Sequence, residues 1–280
     1  MAYRRKQLLL LVPGLCGFLI FYALPFVYSL YYSVIKSSFD KSFVGIANYI
    51  NLLKNEYYRL ALKNTFQFTI IGVPLLVFIS FILAILMIKQ SGRMRVCRTS
   101  FVIPMLLPSA AVVLIWQVLF SRNSILMNNF FNSFEWLKTL GLYKVPVYIF
   151  FIWKNTGYNM ILFMSGLLSI PNDIYEASEM DGVSFLKKHI HITFPLLLPT
   201  TFFVIIISMV NSFKIFKEVY LLYGSYPDTS IYLVQHYMNN HFNKLNYQNL
   251  TTGAIIFTII VYIVVAFGYT VENKLNKNVW

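Results

Sequence analysis

Charge is what this sequence has least of. Only 12% of its 280 residues are Asp, Glu, Lys or Arg, about half the ~25% of an ordinary soluble domain. A soluble fold of this size could not clothe its surface with so little. Cysteine is as scarce. Cys16 and Cys97 are the only two, which excludes a disulfide scaffold; one lies in an apolar run and the other in a short basic loop, so both are expected as free thiols. None of the 12 glycines is followed by lysine, so the chain has no Walker A phosphate cradle and does not hydrolyse ATP by that route. The four histidines are His189, His191, His236 and His241. They lack the spacing of helical metal ligands, and no Cys or carboxylate completes a set. They read as surface or interfacial side chains. No metal site and no catalytic residue is expected.

Apolar residues fill the space that charge leaves. They make up 58% of the chain, with 26 Phe and 20 Tyr, which excludes disorder. Uncharged runs of about 20 residues recur, each long enough to cross a ~30 Å hydrocarbon core. They do not alternate as barrel strands do, so helices are expected. The fold class is an all-α membrane protein, a single transmembrane domain over 1–280. Six transmembrane helices are predicted at Leu8–Val34, Phe66–Ile88, Thr99–Phe120, Val145–Ile170, Phe194–Phe213 and Thr251–Val271. The first run is too long for a cleavable signal and lacks a small-x-small site. A net charge of +13 belongs with lipid headgroups flanking the spans; no nucleic-acid signature accompanies it.

Orientation follows from the density of basic residues. Arg4, Arg5 and Lys6 crowd the N-terminal tail, and Lys89, Arg93, Arg95 and Arg98 crowd the second connection. Lys187, Lys188, Lys274 and Lys277 fall on the same side. The opposite side carries as many, spread over much longer loops. Short loops dominate the positive-inside rule, so both termini are expected in the cytoplasm. Pro13, Pro25, Pro74, Pro104 and Pro108 interrupt the first three spans, and bent helices suit a transporter better than a passive anchor. The one charge counted inside a span is Lys154, free to snorkel outward. Ion-coupled carriers need several such groups, so an ion-coupled secondary carrier is disfavoured.

The connection 171–193 is the most informative segment. Pro171 suits a first helical turn. Asp173 and Glu176 are acidic near the same helix start, where the dipole favours them. Gly182 can take the positive φ that stops a helix. Beyond it, Val183, Leu186 and Ile190 share one face of a second short helix.

The spacing across this loop resembles a known motif. Glu176-Ala177-Ser178, then Gly182 after three residues, then Ile192 and Phe194-Pro195 after nine more match the EAA loop of binding-protein-dependent ABC importer permeases, and Asp181 beside the glycine matches too. Ser178 and Phe194 are mild departures. Phe43-Val-Gly-Ile-Ala-Asn-Tyr49, Ala61-Leu-Lys-Asn-Thr65 and Ile152-Trp-Lys-Asn-Thr-Gly-Tyr-Asn-Met160 resemble segments of the maltose-type sugar permeases. Gly224-Ser-Tyr-Pro227 departs from their glycine-rich G-G-P stretch.

The resemblance implies the rest. It implies an ABC importer permease fold with cytoplasmic coupling helices, in a prokaryotic plasma (inner) membrane. It implies a second homologous permease subunit and an extracytoplasmic solute-binding protein. It also implies two ATP-binding cassette subunits that hold ATP and Mg, with no cofactor in this chain. Glu176, Ala177, Ser178, Asp181 and Gly182 would then engage an ATPase. The substrate implied is a sugar or oligosaccharide; a peptide, polyamine or phosphate is the alternative. Independently of the resemblance, Asn155 and Asn159 share a helical face near the bilayer middle. With Tyr158, and with Asn211 and Ser212 on the fifth span, they are candidate contacts along a solute path, since amides both donate to and accept from hydroxyls. They could equally bond neighbouring helices.

Overall fold

The computed structural model describes residues 11–37, 39–88, 94–119 and 143–276. Arg4, Arg5, Lys6, Lys89, Arg93 and Lys277 lie outside them. Among the described residues the protein is helical, with one isolated bridge between Ile35 and Phe43 and no strand. The helices are α1 (Leu11–Ser33), α2 (Ala47–Lys54), α3 (Glu56–Ile88), α4 (Met94–Leu106), α5 (Ser109–Leu119) and α6 (Lys144–Leu168). They continue with α7 (Asn172–Met180), α8 (Phe185–Lys188), α9 (Leu198–Lys214), α10 (Phe216–Tyr223), α11 (Val234–Asn243) and α12 (Tyr247–Asn276).

Among the described residues, four stretches are long and apolar enough to cross a membrane: Leu11–Ser33, Glu56–Ile88, Leu198–Tyr223 and Tyr247–Lys274. Arg98–Leu106 and Ser109–Gln117 add a fifth if taken as one broken span. In the expected third span, which Pro104 and Pro108 interrupt, the two pieces meet at 102°. Pro108 sits in the break. It supplies no N–H and drives Leu107 away from helical geometry. Helix α6 is 25 residues long, but Lys154, Asn155 and Asn159 make it less apolar than the other four.

The other spans are displaced at their ends. Helix α3 starts ten residues before the expected Phe66 because Asn55 caps it: its side-chain oxygen accepts from the Tyr58 N–H at 3.0 Å. The fifth span does not stop at Phe213. Its helix runs through α9 and α10 to Tyr223, and the charges that argued for a boundary, Lys214, Lys217 and Glu218, lie on it. In α1 a π-helical turn covers Leu19–Ala23 just ahead of Pro25, whose missing N–H and ring prevent a regular bond to the turn before.

The chain forms two compact units. One comprises Met1–Ala61 and Val234–Tyr262. In its most apolar stretch α1 has no buried residue. The chain after it is pinned by Asn48, whose amide donates to Ser33 O at 2.9 Å and Ile35 O at 2.8 Å. Tyr49 shares a 2.7 Å hydrogen bond with the Ser33 hydroxyl, and Gly45 takes φ +58° in the turn between. The Phe43–Tyr49 segment thus caps the end of α1. Deeper in, the Tyr58 hydroxyl donates to Gly253 O at 2.9 Å, and its ring meets Tyr237 edge-on at 5.1 Å. His236 is wholly buried, which corrects its surface assignment. Burial alone pushes its pKa down to about 4.

The other unit comprises Leu62–Leu233 and Ile263–Trp280. One apolar cluster joins Phe68, Leu76, Val112, Phe150, Phe151 and Val219; a second joins Ala84, Met160, Phe163, Leu197 and Val204. Helix α6 supplies residues to both. It crosses α4 at Gly157, where a Cβ would lie 1.8 Å from the Phe101 carbonyl oxygen. Only glycine permits that approach. Asn64 secures the segment before α11, donating to Thr229 O at 2.7 Å and Tyr232 O at 3.0 Å.

Candidate functional site

The connection after α6 forms two short helices. Pro171 caps α7 with ψ 137° rather than entering its first turn, because proline lacks the N–H but keeps an extended ψ open. Helix α7 ends in a Schellman motif: the Gly182 N–H donates to Glu179 O and the Val183 N–H to Ser178 O, both at 3.1 Å. Gly182 holds φ +67°, the left-handed geometry that a side chain would strain. Val183 lies outside α8, so the expected Val183–Leu186–Ile190 face is not continuous.

Side chains then tie α8 to α7. The Lys188 ammonium donates to Glu179 at 2.7 Å and lies 5.6 Å from the centre of the Tyr175 ring. Lys188 is buried and Glu179 exposed. Ser178 is buried, and its hydroxyl donates to Tyr175 O at 2.7 Å. Serine is thus accommodated where the motif has alanine. Glu176, Ala177, Asp181 and Gly182 all face outward. Beside them Met180, Phe185 and Leu186 stand exposed at 90%, 57% and 68%. A cavity of about 570 Å³ opens where Ile85 and Ile88 of α3 approach Tyr175, Glu179 and Lys188.

The polar residues of α6 face inward. Asn155 is buried and donates to Phe151 O at 2.8 Å. Asn159 is wholly buried and donates to the Ser208 hydroxyl of α9 at 2.7 Å. Its Oδ1 has no hydrogen-bond partner among the described residues. Ser212 is buried and shares a 2.9 Å hydrogen bond with Thr69. Tyr158 and Asn211 are half-buried. Among the described residues, neither Asn211 nor Ser212 bonds to Asn155 or Asn159.

Lys154 does not snorkel. It pairs with Glu218 of α10, and its ammonium also donates to the Ser109 hydroxyl of α5 at 2.9 Å. Ser109 in turn donates to Glu218 Oε1 at 2.8 Å. Both charged side chains are largely covered, at 16% and 5% exposure. The expected lone, snorkelling charge is therefore corrected to one half of a covered ion pair. Sequence reasoning missed Glu218 because its charge was taken to lie beyond a span. The signal was present in Lys154 itself, since a buried ammonium demands an anion.

Known proteins are similar to this chain over most of its length. The arabinooligosaccharides transport system permease protein AraP of Bacillus subtilis is 29% identical, over 94% of this chain and 86% of its own. The trehalose/maltose transport system permease protein MalF of Thermococcus litoralis is 27% identical, over 95% and 92%. The sn-glycerol-3-phosphate transport system permease protein UgpA of Agrobacterium fabrum is 27% identical, over 95% and 94%. The fold matches a chain of a crystallised bacterial ABC transporter that imports the acidic polysaccharide alginate, with a TM-score of 0.83 over 97% of this chain and 96% of that one, at 20% identity. The family model for the binding-protein-dependent transport system inner membrane component matches residues 77–279, which take in the α6–α7–α8 connection, the Lys154–Glu218 pair, the second apolar cluster and all of the first except Phe68, Val73 and Leu76 of α3. With well over half its length inside that match, the chain belongs to the binding-protein-dependent transport system inner membrane component family.

Proposed function

We propose that this chain is the membrane permease subunit of an ATP-driven ABC importer that carries a sugar or oligosaccharide inward from an extracytoplasmic binding protein. The observation that carries the reading is the α7–Gly182–α8 connection. It is stiffened by main-chain bonds, it continues directly from the half-buried helix α6, and it displays acidic Glu176 and Asp181 beside exposed Met180, Phe185 and Leu186. That surface suits a cleft on a separate ATPase, whose closure it would turn into movement of α6. The ATPase pair would bind ATP and Mg; this chain is the transporter subunit.

The import reading includes finer elements. Six crossings, with α4–α5 as a broken span and α6 as the least apolar, put both termini in the cytoplasm and loop 171–193 with them. The bare apolar faces of α1 are suited to a second, homologous permease subunit as well as to lipid. The solute path would run along Tyr158 and Asn211, with Asn155, Asn159 and Ser212 turning toward it when the helices move. Sugar is favoured by the transport systems for which the first two relatives are named. A phosphorylated polyol is the second reading, favoured by the glycerol-3-phosphate system of the third.

The test is reconstitution of the purified complex in vesicles, with uptake of labelled sugars and of glycerol-3-phosphate measured against ATP hydrolysis. Uptake of a sugar that requires this chain supports the proposal. Uptake of glycerol-3-phosphate alone selects the second reading, and uptake driven by an ion gradient without ATP rejects both. Asn155→Leu and Asn159→Leu variants that assemble and hydrolyse ATP but lose uptake would support the path; wild-type uptake in both would move it to another face.

A further inference from the structure

We propose that Lys154, Ser109 and Glu218 form a positioning node, through which movement of α6 is passed to the α4–α5 elbow and to α10. The inference rests on the import reading and adds residues outside the loop 171–193 and outside the candidate solute path.

Three observations carry it. First, the charges sit at depth. Lys154 lies ten residues into α6, ~15 Å along the helix at 1.5 Å per residue, within reach of the bilayer middle. Aromatic rings close over it. Its ammonium is 6.0 Å from the Phe150 ring centre, and Trp116 packs on Phe150 at 5.1 Å and on Trp153 at 5.8 Å.

Second, the pair is a poor way to gain stability. Desolvation of two ions offsets their attraction, and apolar side chains of similar volume hold such sites as well or better. Ionisable groups at membrane depth mark working parts. An ion pair differs from an apolar contact in being directional: with one hydroxyl bonded to both partners, it specifies one arrangement of three helices and resists intermediates.

Third, the node stands where three mechanical elements meet. Lys154 is on α6, which leads into the loop at Pro171. Ser109 is the first residue of α5, immediately after the 102° break. Glu218 is on α10, which leads to Gly224 and the segment held by Asn64. The Glu218 carboxylate also lies at the start of α5, where the helix dipole favours an anion. A displacement of α6 must carry the elbow and α10 with it, or break the node.

The experiment uses the full transporter complex with four variants of this chain. Lys154→Met and Glu218→Gln should assemble yet lose uptake at least tenfold, with stimulation of ATP hydrolysis by the loaded binding protein falling toward the basal rate. The apolar double variant Lys154→Met/Glu218→Leu is decisive. It should match or exceed the wild type in thermal stability and still fail to couple hydrolysis to uptake. The charge exchange Lys154→Glu/Glu218→Lys should recover uptake at least fivefold over either single variant, because Ser109 can serve either polarity. Wild-type coupling in the apolar double variant would overturn the node, and so would its failure to assemble, which would make the pair a packing element. Wild-type vesicles read the import proposal separately: if they take up no solute while hydrolysis still responds to the binding protein, the substrate assignment fails and the node is judged on that response.

Discussion

Gly157→Ala is the substitution for which the structure gives the clearest magnitude. One methyl group is added at the crossing of α4 and α6. Its carbon would lie 1.8 Å from the Phe101 oxygen, 2.3 Å from the Phe101 carbonyl carbon and 2.8 Å from the Val102 nitrogen. All three are main-chain atoms, so no side chain can rotate away. Ordinary contact requires about 3.4 Å or more, so the helices must part by over 1.5 Å. That opens the interface at Phe101 and Val102. Overpacking in a close-packed interior costs about 1–3 kcal/mol when side chains can adjust, and backbone against backbone belongs at or above the upper end. We expect a loss of at least about 3 kcal/mol. The assay is thermal unfolding of the purified complex in one detergent, with Gly14→Ala and Gly253→Ala as controls. An added Cβ at Gly14 meets nothing within 4 Å, and at Gly253 it approaches two side chains, the Tyr58 ring at 3.2 Å and Leu52 at 3.6 Å. The expected order of stability is Gly14→Ala, Gly253→Ala, Gly157→Ala. If Gly157→Ala melts with the wild type, the α4–α6 approach is not as close as described and the reasoning fails.

Four further outcomes are expected. Gly182→Val should strain the loop by about 1–2 kcal/mol and abolish uptake, either by releasing the ATPase in a pull-down or by abolishing stimulated hydrolysis; normal uptake would remove the loop from the mechanism. His236 binds fewer protons folded than unfolded, since its pKa falls from 6.5 to about 4; its stabilisation is complete above about pH 6.5 and disappears as pH falls to about 4, by about 3 kcal/mol in total. Melting followed from pH 7 to 4.5 should show this loss, reinforced by His241, which burial and Lys244 shift the same way, and His236→Gln should flatten the curve. Asn48→Ala removes both bonds to Ser33 and Ile35 and should cost about 2 kcal/mol, with α1 becoming more accessible to protease in the isolated subunit. Reporter domains fused after residues 45, 130 and 230 should all lie outside; an internal result at 230 alone would remove the last hairpin of the topology.

Apolar run length was enough to place most helix bodies, because a lipid-facing helix is marked by the absence of charge. It failed where helices continue beyond lipid contact. Asn55 and Glu56 start α3 well before its apolar run, and α10 continues α9 through Lys214, Lys217 and Glu218, since the two lysines are exposed and Glu218 is paired with Lys154. The break at Pro108 was visible as a proline but not as a 102° corner, which depends on how α5 packs against α10. Spacing placed the break of the 171–193 loop, because Gly182 enforces it through the backbone. The Glu179–Lys188 tie across that break was not legible, because it joins residues on two helices whose angle the sequence does not state. The same holds for Lys154 and Glu218, 64 positions apart. The family-like glycine at 157 and asparagines at 48 and 64 have structural duties in the fold, at a close helix crossing and as anchors for main-chain carbonyls, which their positions alone did not reveal.

The Schellman closure of α7 has a consequence for how such transporters diversify. The turn at Gly182 is held by peptide groups, those of Ala177 and Asp181 among them, and by one permissive residue, while the exposed side chains of Glu176, Ala177 and Asp181 take no part in it. On the proposed coupling role, those three side chains can be exchanged without loss of the turn, and the loop would work as a key whose shank is fixed and whose teeth can be recut. Transplanting the side chains at 176, 177 and 181 from another permease should redirect this subunit to a foreign ATPase while its melting temperature stays the same.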